Sequence, residues 1–203
     1  MPIPKTNPPL INKLRTIFLL SEPAKIFEKL ILTKMRSDIE PLLGSSQHAY
    51  RKGLSTSTAL LQLFDKLTRL YDDLQCRGFV LLSLDFSRAF DLVDHSTLLE
   101  KMVGFLPNGF ILWLKSYLAE RPFQVKVQNR LSQVHVCQMG VPQGSVLGPA
   151  LFSILVGDLP STRHGHTFVQ YADDVNIVMP MLTDSEWEIN KNIAEQMQET
   201  RNW

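Results

Sequence analysis

The chain has 203 residues, 44% of them hydrophobic and 20% charged, with a formal net charge of +1. This is the composition of one globular domain, or of a main domain with an appendage, and it excludes a disordered chain. Apolar runs such as Phe79-Val80-Leu81-Leu82 fall far short of the roughly 20 residues a spanning helix needs, so no membrane segment is expected, and no secretory signal opens the chain.

Cys76 and Cys137 lack partners at metal-ligand spacing and fit a reducing compartment. The charge is unevenly spread. Residues 1–52 hold nine Lys/Arg against four Asp/Glu, whereas residues 181–203 hold two against five. A basic N-terminal section beside a carboxylate-bearing centre suits a polyanionic partner.

Residues 1–16, with Lys5, Lys13 and Arg15 among prolines and asparagines, read as an irregular basic arm or weak strand. An amphipathic helix is predicted from Glu22 to Glu40, with Ile26, Phe27, Leu30, Ile31 and Met35 on its apolar face and Pro41 helping to end it. After a loop carrying Gln47, Tyr50, Arg51 and Lys52, Ser55 or Thr56 caps a second helix running to about Gln75. Its expected face is Ala59, Leu60, Leu63, Phe64, Leu67, Leu70 and Leu74; the carboxylates of Tyr71-Asp72-Asp73 point to solvent.

Phe79 to Phe86 is nearly continuously apolar, which predicts a strand buried on both faces and ending in Asp85. Asp85 could serve chemistry or cap the following turn. Asp91, Asp94 and His95 read as structural, with Asp94 or Ser96 capping a helix through Leu98, Leu99 and Met102. Another helix is predicted over Gly109 to Ala119, its core side supplied by Ile111, Leu112, Leu114 and Leu118. Phe123–Val127 and Val134–Val136 alternate as an edge hairpin. Gly140 to Pro149 is dense in Gly and Pro, a loop whose backbone can approach a ligand, and a helix follows to about Asp158. That loop is neither a nucleophile elbow nor a Walker loop. His164-Gly165-His166 lacks a third ligand at useful spacing and reads as a loop. Ser185 to Trp203 is a polar helix with Ile189, Ile193 and Met197 on one stripe.

Thr167-Phe168-Val169-Gln170 and Val175-Asn176-Ile177-Val178-Met179 are apolar, β-branched flanks around Tyr171-Ala172-Asp173-Asp174, so they read as two strands with the acidic pair at their turn. Taken alone the pair also fits a solvated turn. Adjacent carboxylates repel and resist desolvation, and a divalent cation removes that penalty; ligands that are all oxygen point to Mg²⁺ or Mn²⁺ rather than zinc. Asp85 and Asp173-Asp174 together are the minimum for a two-metal site. In such a site ions about 4 Å apart activate a 3′-hydroxyl and hold a triphosphate. Lys5, Arg15 and Arg51 are candidates to meet phosphates.

With these motifs in order, the sequence resembles the reverse transcriptase domain of non-LTR retrotransposons. Leu84 to His95 is similar to that family's first catalytic motif, Gly140 to Pro149 to its template and nucleotide loop, and Tyr171 to Asp174 to its acidic hairpin. Arg15 to Leu20 and Gln47 to Thr56 also match. The resemblance implies an α+β fold: right-hand polymerase fingers (1–78 with part of 95–131) and a palm (79–203) whose small antiparallel sheet bears the carboxylates. It implies that Asp85, Asp173, Asp174 and the Phe86 carbonyl hold two Mg²⁺ or Mn²⁺ ions. Phe90 takes the steric-gate position that favours dNTPs. Gln143 and Gly144 belong with Lys5 and Arg15 at the nucleotide, and Arg51, Pro142 and Tyr171 at nucleic acid. The implied partners are an RNA template, a DNA primer and dNTPs, in nucleus or cytoplasm. The chain stops at Trp203, so the family's thumb, endonuclease and zinc-binding segment are not in it, and the implied object is a catalytic core, a fragment or a decayed copy. The alternative is a catalytically silent nucleic-acid-binding remnant. An intron-encoded relative that assists splicing needs a maturation domain this sequence does not carry.

Overall fold

The computed structural model describes residues 2–4, 14–86, 88–159 and 165–202. Its contacts divide the chain into two compact units, residues 1–42 with 88–155, and residues 43–87 with 156–203.

In the first unit, β1 (Pro2–Pro4) pairs antiparallel with β2 (Leu14–Thr16), and α1 (Glu22–Ile39) follows, continued by a 3-10 turn over Glu40–Leu42. Asp94 caps α3 (His95–Met102) by accepting the Thr97 N–H at 2.7 Å. Helix α4 (Asn108–Leu118) and α5 (Gly148–Leu155) pack against α3, and Leu98, Met102, Leu114, Leu118, Leu151 and Phe152 make the core between them. The predicted hairpin is present in two pieces. β4 (Arg121–Phe123) pairs with β7 (His135–Cys137), and β5 (Lys126–Val127) with β6 (Arg130–Leu131) around a turn in which Gln128 has φ 52°.

In the second unit, α2 (Thr56–Asp72) starts at a reciprocal box in which the Ser55 hydroxyl and Thr58 each bond the other's backbone N–H. Three antiparallel strands form one sheet in the order β3-β9-β8: β3 (Gly78–Asp85), β9 (Asp174–Met181) and β8 (Thr167–Tyr171). Helix α2 packs across all three strands. The central β9 buries Val175, Ile177, Val178 and Met179, while α6 (Glu186–Asn202) closes the described chain. Among the described residues no helix is long and apolar enough to cross a membrane.

Four burial expectations are corrected. Strand β3 is not buried on both faces: Phe79, Leu81, Ser83 and Asp85 are exposed and alternate with half-buried Val80, Leu82 and Leu84. It lies at the sheet's edge, and the period-2 pleat brings only alternate side chains to the packed face. Helix α1 turns a different face inward, burying Glu28, Met35 and Ile39 while Ile26, Phe27 and Leu30 stay exposed. Helix α2 buries Ala59 and Leu70 but leaves Leu60 and Phe64 exposed, and it ends at Asp72, short of Leu74, which is exposed as well. Leu112 of α4 is likewise exposed. The helices themselves run close to their expected bounds; what periodicity misjudged is which stripe is covered.

Candidate active site

The acidic hairpin is a two-residue turn. Tyr171 pairs with Asp174, leaving Ala172 and Asp173 at its tip, and Asp174 is the first residue of β9. The same strand registers Asp174 opposite Asp85, the last residue of β3. Sheet geometry thus sets two carboxylates on directly paired positions, where like charges repel, with a third carboxylate one residue away in the turn. Asp85 and Asp174 are exposed and Asp173 is half-buried. Phe86 follows β3 directly, half-buried, so its carbonyl sits next to Asp85 in the chain.

The turn is strained and braced. Ala172 has φ 56°, a left-handed conformation that costs a residue with a Cβ on the order of 1 kcal/mol. Its N–H donates to Gln47 Oε1 at 3.0 Å, and its carbonyl accepts from Gln47 Nε2 at 3.2 Å. Tyr50, also left-handed at φ 62°, stands near the turn. Burial first, then the Asp173 and Tyr171 charges, push its phenol above the ordinary value. Tyr171 is exposed. Arg51 donates from Nη1 to the Leu43 and Gly44 carbonyls, 3.0 Å each, so this guanidinium helps close the loop.

The donor set fits a hard divalent cation: three carboxylates and a backbone carbonyl, all oxygen, carried at the end of β3, at the start of β9 and in the turn between β8 and β9. Among the described residues no three His, Cys, Asp or Glu side chains make a preformed cluster. A cation binding here would draw the three carboxylates together and offset their like charge.

In the first unit the glycine-rich loop is held from several sides. Gly140 N–H donates to the Val93 carbonyl (2.8 Å), Val141 N–H to that of Phe90 (2.7 Å), and His95 Nε2 to that of Gly140 (2.8 Å). Gln143 accepts the Phe18 N–H at 2.8 Å, and its side-chain amide donates to Asp91 Oδ1 at 3.2 Å. Pro142 is buried. Gly144 has φ 101°, and a Cβ there would lie 2.9 Å from the Phe18 carbonyl oxygen, so only glycine lets the loop pass. Phe90 stacks on Phe152 with ring centroids 4.7 Å apart. A cavity of about 570 Å³ opens beside this loop, lined by Phe18, Arg121, Phe123, Cys137, Val141 and Pro142 among others. Lys5 lies outside the described residues, and Arg15 is described as backbone only. His166 is buried and bonded to Gln196 at 2.7 Å; His164 is outside the described residues.

Sequence reading missed the residue that anchors the loop. Glu28, 2% exposed, accepts the Tyr117 hydroxyl at 2.6 Å and the N–H groups of Val146 (2.7 Å) and Leu147 (3.4 Å). The available signal was its helical spacing with Met35 and Ile39, which puts an acid in an apolar stripe. Burial and the bond to Glu28 push the Tyr117 phenol up to about 12, against an opposing effect of Arg121, whose guanidinium lies 4.6 Å over the ring. Because the folded phenol holds its proton to higher pH than the unfolded one, the stabilisation is complete below about pH 10 and is lost as pH rises toward 12. It amounts to on the order of 2 kcal/mol, allowing for the phenol's partial exposure. Urea unfolding should show that loss between pH 9 and 11.5, and Tyr117→Phe should flatten it relative to the unaltered chain.

Comparison with known proteins places the chain. A family described as reverse transcriptase (RNA-dependent DNA polymerase) matches residues 3–203. The chain is 35% identical over 173 residues to a probable RNA-directed DNA polymerase from transposon BS of Drosophila melanogaster, covering 81% of this chain and 19% of that protein. It is 30% identical over 188 residues to the RNA-directed DNA polymerase from mobile element jockey of the same fly, covering 92% and 20%. It thus spans about a fifth of the length of these relatives. Its fold is similar to those of a Candida albicans telomerase in complex with a telomeric RNA fragment (TM-score 0.57, 16% identity, 85% of this chain, 32% of that one) and an apo Candida tropicalis telomerase (TM-score 0.59, 13% identity, 86% and 37%).

Proposed function

Because the chain belongs to the reverse transcriptase (RNA-dependent DNA polymerase) family, we propose that it carries the nucleotidyl-transfer core of an RNA-directed DNA polymerase. The core adds dNTPs to the 3′-hydroxyl of a DNA primer paired with an RNA template. The observation that carries the reading is the register of Asp85 against Asp174 with Asp173 in the adjoining turn. In this reading residues 1–78 with part of 95–131 are fingers and 79–203 the palm.

Asp85, Asp173, Asp174 and the Phe86 carbonyl hold two Mg²⁺ or Mn²⁺ ions. When bound, these favour deprotonation of the 3′-hydroxyl and neutralise charge on the triphosphate. The protein's own part is positioning. The hairpin fixes where the carboxylates start, and Tyr171 and Arg51 lie toward nucleic acid. Pro142, Gln143 and Gly144 present a rigid backbone to the nucleotide and its template partner, while Lys5 and Arg15 meet phosphates. Phe90, its ring held by Phe152, stands against a ribose 2′-hydroxyl.

The direct test is extension of a DNA primer on an RNA template by the full chain in Mg²⁺ or Mn²⁺, against the same mixture with a chelator. Metal-dependent dNTP incorporation supports the reading; silence in both metals favours a nucleic-acid-binding remnant. Phe90→Val should raise use of NTPs relative to dNTPs by roughly 10- to 100-fold, as expected when one steric exclusion worth about 1–3 kcal/mol is removed. Competition between labelled dNTP and NTP in single-nucleotide extension checks it.

A further inference from the structure

The loop between α1 and α2 is hydrogen-bonded to the acidic turn through the Gln47 side chain. Gln47 is fully buried, and its backbone lies beside Gln170 of β8 in a parallel bridge. The Gln170 N–H donates to the Ser46 carbonyl (2.8 Å), and the His48 N–H donates to that of Gln170 (2.9 Å). From this added edge the Gln47 amide uses both its ends. Oε1 accepts the N–H groups of Ala172 (3.0 Å) and Ala49 (2.9 Å), while Nε2 donates to the Ala172 carbonyl (3.2 Å). The neighbouring His48 ring is bonded to Thr58 Oγ1 (2.8 Å) and Gln62 Oε1 of α2, so the brace is tied to a helix.

Ala172 needs such a brace. It is 8% exposed, so its polar backbone groups have little access to water, and its φ of 56° is one that glycine adopts far more readily. The dihedrals of Ala172 set the direction in which the chain leaves for Asp173, and hence the distance of that carboxylate from the Asp85–Asp174 pair. We propose that Gln47 is a positioning residue: its amide clamps Ala172 in the left-handed state and so pre-sets the acidic turn for cation binding. The cation part of this rests on the reading of Asp85, Asp173 and Asp174 as metal ligands; the clamp itself does not.

Gln47→Met keeps the length of the side chain and removes both hydrogen-bonding ends. Mn²⁺ affinity, followed by the ion's paramagnetic resonance, should weaken at least about tenfold, as for lost outer-shell partners of metal ligands. Ala172→Gly placed in the Gln47→Met chain relieves the backbone penalty and should restore most of that affinity. A purely structural glutamine predicts otherwise: a lower melting temperature, unchanged Mn²⁺ affinity below it, and no rescue by glycine. That pattern overturns the proposal. If Gln47→Met alone does not fold, a double variant that folds and binds Mn²⁺ supports the clamp, and one that stays unfolded overturns it.

Amide exchange at Ala172 judges the clamp separately from the metal. Exchange at least about tenfold faster in Gln47→Met, with the β9 amides unchanged, supports it, and equal rates overturn it. An unaltered chain that takes up no Mn²⁺ sinks the metal reading, and the Ala172 exchange rate then decides the clamp.

Discussion

Asp173→Asn should reduce primer extension at least about 10³-fold, because the metal's charge stabilisation is worth several kcal/mol and each 1.4 kcal/mol is a factor of ten. Asparagine keeps the shape of the side chain and its place after Ala172 while removing one charge. The metal-free fold should be no less stable, since the substitution removes one of three neighbouring carboxylates: Asp174 follows Asp173 in the chain, and Asp85 pairs with Asp174. The loss should appear instead when cation is added. For the unaltered chain, Mn²⁺ at 100 times its dissociation constant stabilises by about 2.7 kcal/mol, which for a chain of this size raises Tm by roughly 5–10 °C. Asp173→Asn should lose most of that gain. The control is Asp72→Asn, whose carboxylate stands exposed at the end of α2 beside Asp73, an acidic pair by sequence alone. It should keep the full Mn²⁺ response. Equal gains in all three chains would mean that the cation binds somewhere other than the hairpin.

What the sequence disclosed, and what it hid, divides by the range of the interaction. The acidic hairpin was legible because two β-branched runs flank four residues, and a local pattern forces a local turn. The caps at Ser55 and Asp94 were legible for the same reason. That Asp85 lies opposite Asp174 is a matter of register between strands far apart in sequence. The resemblance implied only that Asp85, Asp173 and Asp174 share one site, and no local pattern gave their pairing. The faces of α1 and α2 were misjudged because periodicity identifies an apolar stripe without saying what covers it, and Phe64 and Leu30 are exposed where Glu28 is buried. Glu28 showed in the sequence only as an acid in an apolar stripe and Gln47 only as a loop residue; what each of them binds was hidden for a further reason. A polar side chain that satisfies distant backbone groups looks, in one dimension, like any loop or surface residue. Their roles exist only once the turn at Ala172 and the loop at Val146 have been brought to them.

Glu28→Ala should be the most destabilising substitution in the glycine-rich loop's support, by about 3–5 kcal/mol or roughly 10 °C in Tm. Removing the carboxyl group leaves the Tyr117 hydroxyl and two backbone N–H groups in a buried site without their acceptor, and each such orphan costs about 1–3 kcal/mol. The cavity left by the side chain adds to this. Glu28→Gln retains one oxygen, enough for the Val146 N–H, and should recover more than half of the loss. Urea unfolding of the three chains decides the matter, with a loss under about 1 kcal/mol for alanine showing that other contacts hold the loop. The catalytic consequence follows from the same bonds. Val146 and Leu147 lie a few residues beyond Gln143, whose own tethers to Phe18 and Asp91 are one hydrogen bond each. If the loop shifts when Glu28 is gone, nucleotide binding weakens before the chemistry does. Below its melting temperature, Glu28→Gln should therefore raise KM for dNTP more than it lowers kcat, whereas Asp173→Asn should do the reverse.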